Sequence, residues 1–234
     1  MKIDVLTLFP GIFPGPLGSS VDGRALRSGV VEFRAVNIRD FARDERGTVD
    51  ERPYGGGPGM LMNPVVLTEA VESVKTPGST VVLTSPRGEV LTHSLAKELA
   101  QSEHLIIIAG HYEGVDERVI EEVVDREISI GDFVLSSGNI AAMAIADAVV
   151  RLLPGVLGDM ESANEESHSM GLLEYPQYTR PPVYRGLKVP DCLLSGDHGK
   201  VAEFRKSEAE KITRQRRPDL WEKYLISELK RGKK

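Results

Sequence analysis

Apolar and polar positions alternate along the first 155 residues in a way that separates strand-like from helix-like stretches. IDVLTL (3–8) is short, apolar and β-rich, and VEFRAVNI (31–38) reads as a second strand. STVVLTS (79–85) and HLIIIAG (104–110) are continuous apolar runs closed by Ser or Gly. Strands that are apolar at successive positions must bury both faces, which predicts a parallel sheet covered by helices. Between the strands lie helical patterns. One begins with Asn63 as cap and Pro64 at the first position, runs to about Lys75 and ends at Pro77-Gly78. A second lies near 92–101 behind Thr92, a third near 116–124, and a long apolar one at about 139–152 is stopped by Pro154-Gly155. The βαβαβα order predicts an α/β architecture.

Other segments break the pattern. Residues 38–62 are rich in Arg, Asp and Gly and poor in periodicity, which predicts a long loop, either functional or disordered. Residues 158–171, GDMESANEESHSMG, are small, polar and acidic and read as a linker. A Pro-rich, extended stretch follows. From Asp197 or His198 a basic helical segment runs to the C-terminus, broken at Arg217-Pro218. The expected domains are therefore 1–158, a linker at 159–171, and 172–234.

Composition narrows the class. The chain has 234 residues and 41% hydrophobic content, enough for one substantial domain and a small second one. No stretch is apolar enough for a membrane helix, and MKIDVLTLFP reads as a first strand, not a targeting segment. The single cysteine, Cys192, excludes an intramolecular disulfide and a Cys-cluster metal site, and the expected compartment is the reducing cytoplasm. The net charge of −6 hides an asymmetry. Residues 200–234 hold 12 Lys and Arg against 6 Asp and Glu, whereas residues 1–199 hold 17 against 29. A basic tail on an acidic body suggests a polyanionic partner for the tail, with a solvated helix face as the bland alternative.

Three loops carry the candidate chemistry, each after a predicted strand: Ser85–Gly88, Gly110–Gly114 and Ile130–Gly138. In α/β sheets ligands sit at the carboxyl ends of strands, and glycines there let main-chain N–H and C=O groups come close to a ligand. Singly each loop is an ordinary tight turn; together they predict a pocket able to read a purine edge through the backbone. The run Gly55-Gly56-Gly57-Pro58-Gly59 has no Gly-Lys-Ser/Thr step, which argues against a nucleotide hydrolase. His111 and Glu113 lie two apart with no second histidine at metal spacing, so zinc is not expected; Glu113 can offer magnesium one carboxylate. Ser85, Ser136 and Ser137 have no paired His and Asp, and no nucleophile is assigned. Arg151 suits the end of a helix as a cation against its dipole. Spacing does not separate Glu165 from Glu166 as a functional acid.

Four strings in order, ERPYGGGPGMLM (51–62), GHYEGVDERVI (110–120), SIGDFVLSSGNIAAMAIADAVVRLLPGVLG (129–158) and GLLEYPQYTRP (171–181), closely resemble the bacterial tRNA (guanine-N1)-methyltransferase family. The similarity spans about residues 3 to 225. It implies a trefoil-knotted α/β methyltransferase of the SPOUT type, with a mostly parallel sheet, helices on both faces, a linker and a small helical C-terminal domain. Such knots are rare exceptions to the usual topology.

The resemblance implies S-adenosylmethionine held by the loops 83–88 (Leu83, Ser85, Pro86, Gly88), 110–114 (Gly110, Tyr112, Glu113) and 130–138 (Ile130, Gly131, Asp132, Phe133, Val134, Leu135, Gly138). It implies Arg151 as the guanine-handling arginine and a linker acid as general base. The base position, five residues before Gly171, holds Glu166 where the family usually has Asp, with Glu165 beside it. Ser136-Ser137-Gly138-Asn139-Ile140-Ala141 also departs from the usual Ser-Gly-Gly-Glu-Leu-Pro. Also implied are dependence on magnesium, placed at Glu113, and an obligate homodimer whose sites are shared by both chains. The expected reaction is methyl transfer to N1 of the guanosine immediately 3′ of the anticodon. The expected partner is a tRNA anticodon stem-loop, held by Lys206, Lys211, Arg214, Arg216 and Arg217, with no DNA and no membrane. The alternatives are a knotted methyltransferase for another RNA and a non-catalytic RNA-binding protein.

Overall fold

A computed structural model describes residues 1–157, 166–169 and 171–231. The chain divides into two compact units, Met1–Gly158 and Asp159–Lys234. Among the described residues no helix is long and apolar enough to cross a membrane.

The first unit is built on seven strands: β1 (Lys2–Thr7), β2 (Glu32–Asn37), β3 (Asp50–Glu51), β4 (Leu61–Met62), β5 (Ser79–Val90), β6 (His104–Ile108) and β7 (Arg126–Ser129). Its helices are α1 (Ser20–Arg27), α2 (Pro64–Val74), α3 (His93–Leu99), α4 (Glu117–Val123) and α5 (Asn139–Val150). Five strands form one sheet in the order β2-β1-β6-β5-β7, and every pairing in it is parallel. All five residues of the central strand β6 are buried, as its unbroken apolar run requires. Alternate side chains serve opposite faces. Ile3, Val5, Val82, Leu105 and Ile107 pack with Leu95, Leu99, Ile145 and Val149 of α3 and α5. Leu6, Val81, Leu83, Ile106 and Ile108 pack with Leu67, Val71, Val119 and Val123 of α2 and α4. The expected helix starts at 63–64 and at 92 are confirmed by their caps. The Asn63 side chain accepts from the N–H groups of Val65 and Val66, and Thr92 Oγ1 accepts from Leu95 N–H.

Three features differ from the sequence-based expectation. Helix α1 was not anticipated: it is short and polar on average, its fully buried residues are Asp22, Gly23 and Ala25, and the apolar side chains it packs on the core are few, chiefly Val21, Ala25 and Leu26. Residues 38–62 are not a plain loop. They contain a 3-10 turn at Ile38–Phe41 and the antiparallel pair β3–β4, and Met62 N–H donates to Gly114 O at 3.0 Å. Strand β5 does not end at 85: it pairs with β7 again at Glu89 and Val90, so 85–88 is an excursion within one strand.

The amino edge of the sheet is tied by a buried carboxylate. Asp4 is fully buried. It accepts from Arg34 Nε at 2.8 Å and Nη2 at 3.0 Å, from Lys2 Nζ at 3.2 Å and from His104 Nε2 at 3.0 Å. His104 Nδ1 in turn meets the hydroxyls of Thr76 and Ser79 at 2.9 and 2.8 Å. Burial alone would raise the Asp4 carboxyl, but the hydrogen bonds from Arg34, Lys2 and His104 outweigh it and hold it below its ordinary 3.8.

Among the described residues of the second unit, the first strands form a hairpin, β8 (Val183–Tyr184) and β9 (Leu187–Lys188). The turn residues Arg185 and Gly186 have φ of 51° and 83°, as a two-residue hairpin loop requires. Three helices follow, α6 (Asp191–Leu194), α7 (His198–Arg216) and α8 (Pro218–Arg231). The Asp197 carboxylate caps α7, and Pro218 opens α8 after the break at Arg217. Buried Thr213 donates to Ala209 O and accepts from Leu173 N–H at 2.8 Å, fastening the stretch after Gly171 to α7. The sequence-based linker falls largely on 158–165 and 170, which lie outside the described residues.

Replacing Asp4 with Ala strands Arg34, Lys2 and the buried His104 ring nitrogen at the sheet edge and is expected to cost about 3 kcal/mol of stability, read from urea denaturation. Because the Asp4 carboxyl is depressed in the fold, its contribution is present above its ordinary 3.8 and is lost as pH falls below it. The gap between wild type and the variant should therefore narrow in acid.

Candidate functional site

The site lies at the carboxyl edge, opposite the Asp4 network. β6, β5 and β7 are neighbours in the sheet, so the chain segments leaving their carboxyl ends converge. They enclose a cavity of about 340 Å³ lined among others by Leu83, Ser85, Pro86, Gly110, Tyr112, Glu113, Ile130, Phe133, Val134, Leu135 and Gly138. The three predicted loops thus form one pocket.

A main-chain crossing holds it together. Gly138 N–H donates to Gly110 O at 2.7 Å. Thr84 Oγ1 donates to Ile108 O and accepts from Gly110 N–H, both at 3.1 Å. A Cβ on Gly138 would stand 2.0 Å from Thr84 Oγ1 and 2.6 Å from Gly110 N, so nothing larger than glycine fits. The first residue of α5 is anchored as well, since buried Asn139 Oδ1 accepts from Thr7 Oγ1 at 2.8 Å. The departure Asn139 is therefore a satisfied core residue at the end of β1. Ser137 and Ala141, two further departures, both line the cavity.

Not every expected residue faces the cavity. Gly88, Gly131 and Asp132 are not among its lining residues. Gly88 is packed against β7, where a Cβ would lie 2.4 Å from the Glu127 carbonyl carbon. Gly131, at φ 147°, turns the chain so that Ile130 and Phe133 can both line the pocket. Arg151 caps the far end of α5, about 20 Å along the helix axis from Gly138. Glu166 belongs to the second unit, and its carbonyl accepts from Ser169 Oγ at 2.6 Å. Glu165 lies outside the described residues.

Thr84 and Arg87 lie in the predicted 83–88 loop but were not singled out by sequence reasoning. Thr84 ties the loops together, and its one signal is a hydroxyl inside an otherwise apolar strand. Arg87 reaches from the 85–88 excursion to Glu127 at 3.0 and 3.2 Å and to Glu117 at 2.6 Å, bracing that loop against β7 and α4.

The pocket suits a ligand held by main chain more than a resident metal. The close glycine approaches bring the three loops together around the cavity, so that main chain from each of them borders it. Among the described residues no group of three or more His, Cys, Asp or Glu could hold a metal. The Glu113 side chain lies over Gly59, where a Cβ would stand 2.2 Å from Glu113 Cγ. A magnesium ion at Glu113 would take the rest of its shell from water and substrate.

Fold and site together define an α/β protein with a main-chain ligand pocket at the carboxyl edge of a parallel sheet. Residues 1–223 match the family model described as tRNA (Guanine-1)-methyltransferase TrmD, and the chain belongs to that family. It is 55% identical to a tRNA (guanine-N(1)-)-methyltransferase of Geobacter sp. strain M21, over 94% of this chain and 89% of that one. A protein of the same description from Dehalococcoides mccartyi strain CBDB1 is 52% identical over 99% of this chain and 94% of its own. One from Geobacillus kaustophilus is 50% identical over 97% and 94%.

Gly138→Ala forces Thr84 and the Gly110 amide apart and is expected to lower stability by about 3 kcal/mol, measured by thermal or urea unfolding. An unfolding midpoint equal to wild type would contradict the close approach.

Proposed function

We propose that this protein transfers a methyl group from S-adenosylmethionine to N1 of guanosine in tRNA, at the position immediately 3′ of the anticodon. The observation that carries the reading is the family match along residues 1–223, with its loops 83–88, 110–114 and 130–138 meeting in one cavity. S-adenosylmethionine supplies an electrophilic methyl group on a sulfonium. The loops hold it through main-chain groups, in the threaded crossing of a trefoil knot.

The chain's own side chains prepare the nucleophile. Guanine N1 is a poor nucleophile while it carries its proton, and the Glu166 carboxylate accepts that proton as general base. Charge then builds toward O6, where the Arg151 guanidinium stabilises it with directed N–H donors. The position of Arg151 at the far end of α5 from its own pocket supports a homodimer in which each site takes residues from both copies. Phe9, Ile12, Val134 and Ile140 are apolar and 45–81% exposed near the pocket, as such an interface requires. Magnesium at Glu113 belongs to this reading, with no step assigned to it.

The second unit supplies the grip on RNA, the stem-loop's phosphates meeting the basic face of α7. Lys206, Lys211 and Arg217 already face Glu210, Glu208 and Asp219. Arg214 and Arg216 have no acidic partner among the described residues and are the stronger phosphate contacts. A tRNA substrate places the protein in the cytoplasm.

The reading is tested by incubating the protein with unmodified tRNA and labelled S-adenosylmethionine, then mapping the modified base. Label at N1 of the guanosine beside the anticodon is expected; label in another RNA only, or none, rejects it. Glu166→Gln should lower turnover by about 10²–10⁴-fold while cofactor affinity holds, and near-normal turnover would remove Glu166 as the base. Arg214→Glu with Arg216→Glu should weaken tRNA binding and leave cofactor affinity unchanged, with both affinities measured by titration.

A further inference from the structure

We infer that Asp22 and Asp147 form an acid pair that shares one proton and positions Arg151, which makes Asp22 a positioning residue for the methyl transfer. The inference rests on the role given above to Arg151. Asp22 lies in the first turn of α1 and is 8% exposed. Its Oδ1 is buried with no hydrogen-bond partner. The helix has no freedom to lift it into water, because Gly23 is pressed onto the Gly18 carbonyl: a Cβ there would stand 2.3 Å from Gly18 O. The Asp22 carboxyl meets that of Asp147 on α5 within hydrogen-bonding range.

Two carboxylates in contact repel, whereas one proton between them turns the contact into a donor–acceptor pair. Burial first, and then Asp147, push the Asp22 carboxyl up to about 7, with the Arg151 charge pulling the other way. The charged groups around it are Asp147 and Arg151 from α5, and Arg24 and Arg27 on its own helix. The Gly15–Gly18 turn packed beside α1 carries none. Asp147 stands one turn before Arg151 on the same face of α5, and its carbonyl accepts the Arg151 N–H at 3.1 Å.

The function follows from charge. With one proton, the pair carries a single negative charge beside a single guanidinium, which keeps N–H donors for the guanine oxygen. When the proton leaves, two negative charges compete for that guanidinium and draw it back toward α1. Methyl transfer should therefore fall as pH rises through about 7, although the general base alone would favour the opposite trend.

The test is kcat against pH from 5.5 to 9.5 at saturating tRNA and S-adenosylmethionine, for wild type, Asp22→Asn and Asp22→Ala. Wild type should show the descending limb. Asp22→Asn, which keeps a donor toward Asp147 and removes the titration, should lack that limb and retain activity at high pH. Asp22→Ala, which leaves the single charge of Asp147 but no donor to hold it, should also lack the limb, with a kcat at least tenfold lower at every pH, an unchanged KM for S-adenosylmethionine and the circular dichroism of a folded protein. A descending limb retained in both variants, or an Asn variant as impaired as the Ala variant, would overturn the inference. Carboxyl ¹³C NMR separates its failure from that of the proposed function. The resonance lost in Asp22→Asn should titrate near 7 whether or not tRNA is methylated, and titration near 4 overturns the pair by itself.

Discussion

The site depends on one close approach, the Gly138 amide against the Gly110 carbonyl with Thr84 Oγ1 wedged beside them. At 2.7 Å and with no room for a side chain, this contact fixes where α5 begins and where the chain leaves β6. It also brings the 85–88 excursion of β5 within reach of both, because Thr84 bonds to Ile108 and Gly110. A pocket made of backbone needs such a constraint. Loops free to drift by an ångström would lose the directed N–H and C=O groups on which recognition rests.

The two edges of the sheet are treated differently, and the difference locates the chemistry. At the amino edge the buried Asp4 is neutralised by partners from β1, β2 and β6, and nothing is left over for a ligand. At the carboxyl edge loop backbone and side chains such as Ser85, Tyr112 and Glu113 line an open cavity, and the apolar side chains of Phe133 and Val134 remain 54% and 81% exposed. A closed edge and an open one suit a scaffold that is rigid below and receptive above. The same helix, α5, carries this order outward: its start is locked by Asn139 and Thr7, and its end presents Arg151.

Much of the scaffold was legible because its physics is local. The unbroken apolar runs of β5 and β6 announce burial on both faces, and Asn63-Pro64 and Thr92 announce helix starts. Helix α1 was not legible, since its apolar face is only Val21, Ala25 and Leu26 and an aspartate and a glycine are buried beside it. The excursion in β5 was read as a strand end because its second pairing with β7 is a long-range event. In the site, loop glycines marked the pocket, but Gly88, Gly131 and Asp132 support it from outside the lining. The roles of Arg151 and Glu166 came from family resemblance, because neither residue's spacing points to catalysis. The Asp22–Asp147 contact joins residues far apart in sequence, and no local pattern signals it.

If the three strand-end loops hold S-adenosylmethionine through their backbone, hydrogen exchange of the purified protein should register it. On adding S-adenosylmethionine, amides of 84–88, 110–114 and 130–138 should gain protection together, while those around Asp4 and His104 do not change. Protection confined to other segments, or none at saturating ligand, would rule out a pocket built from these loops.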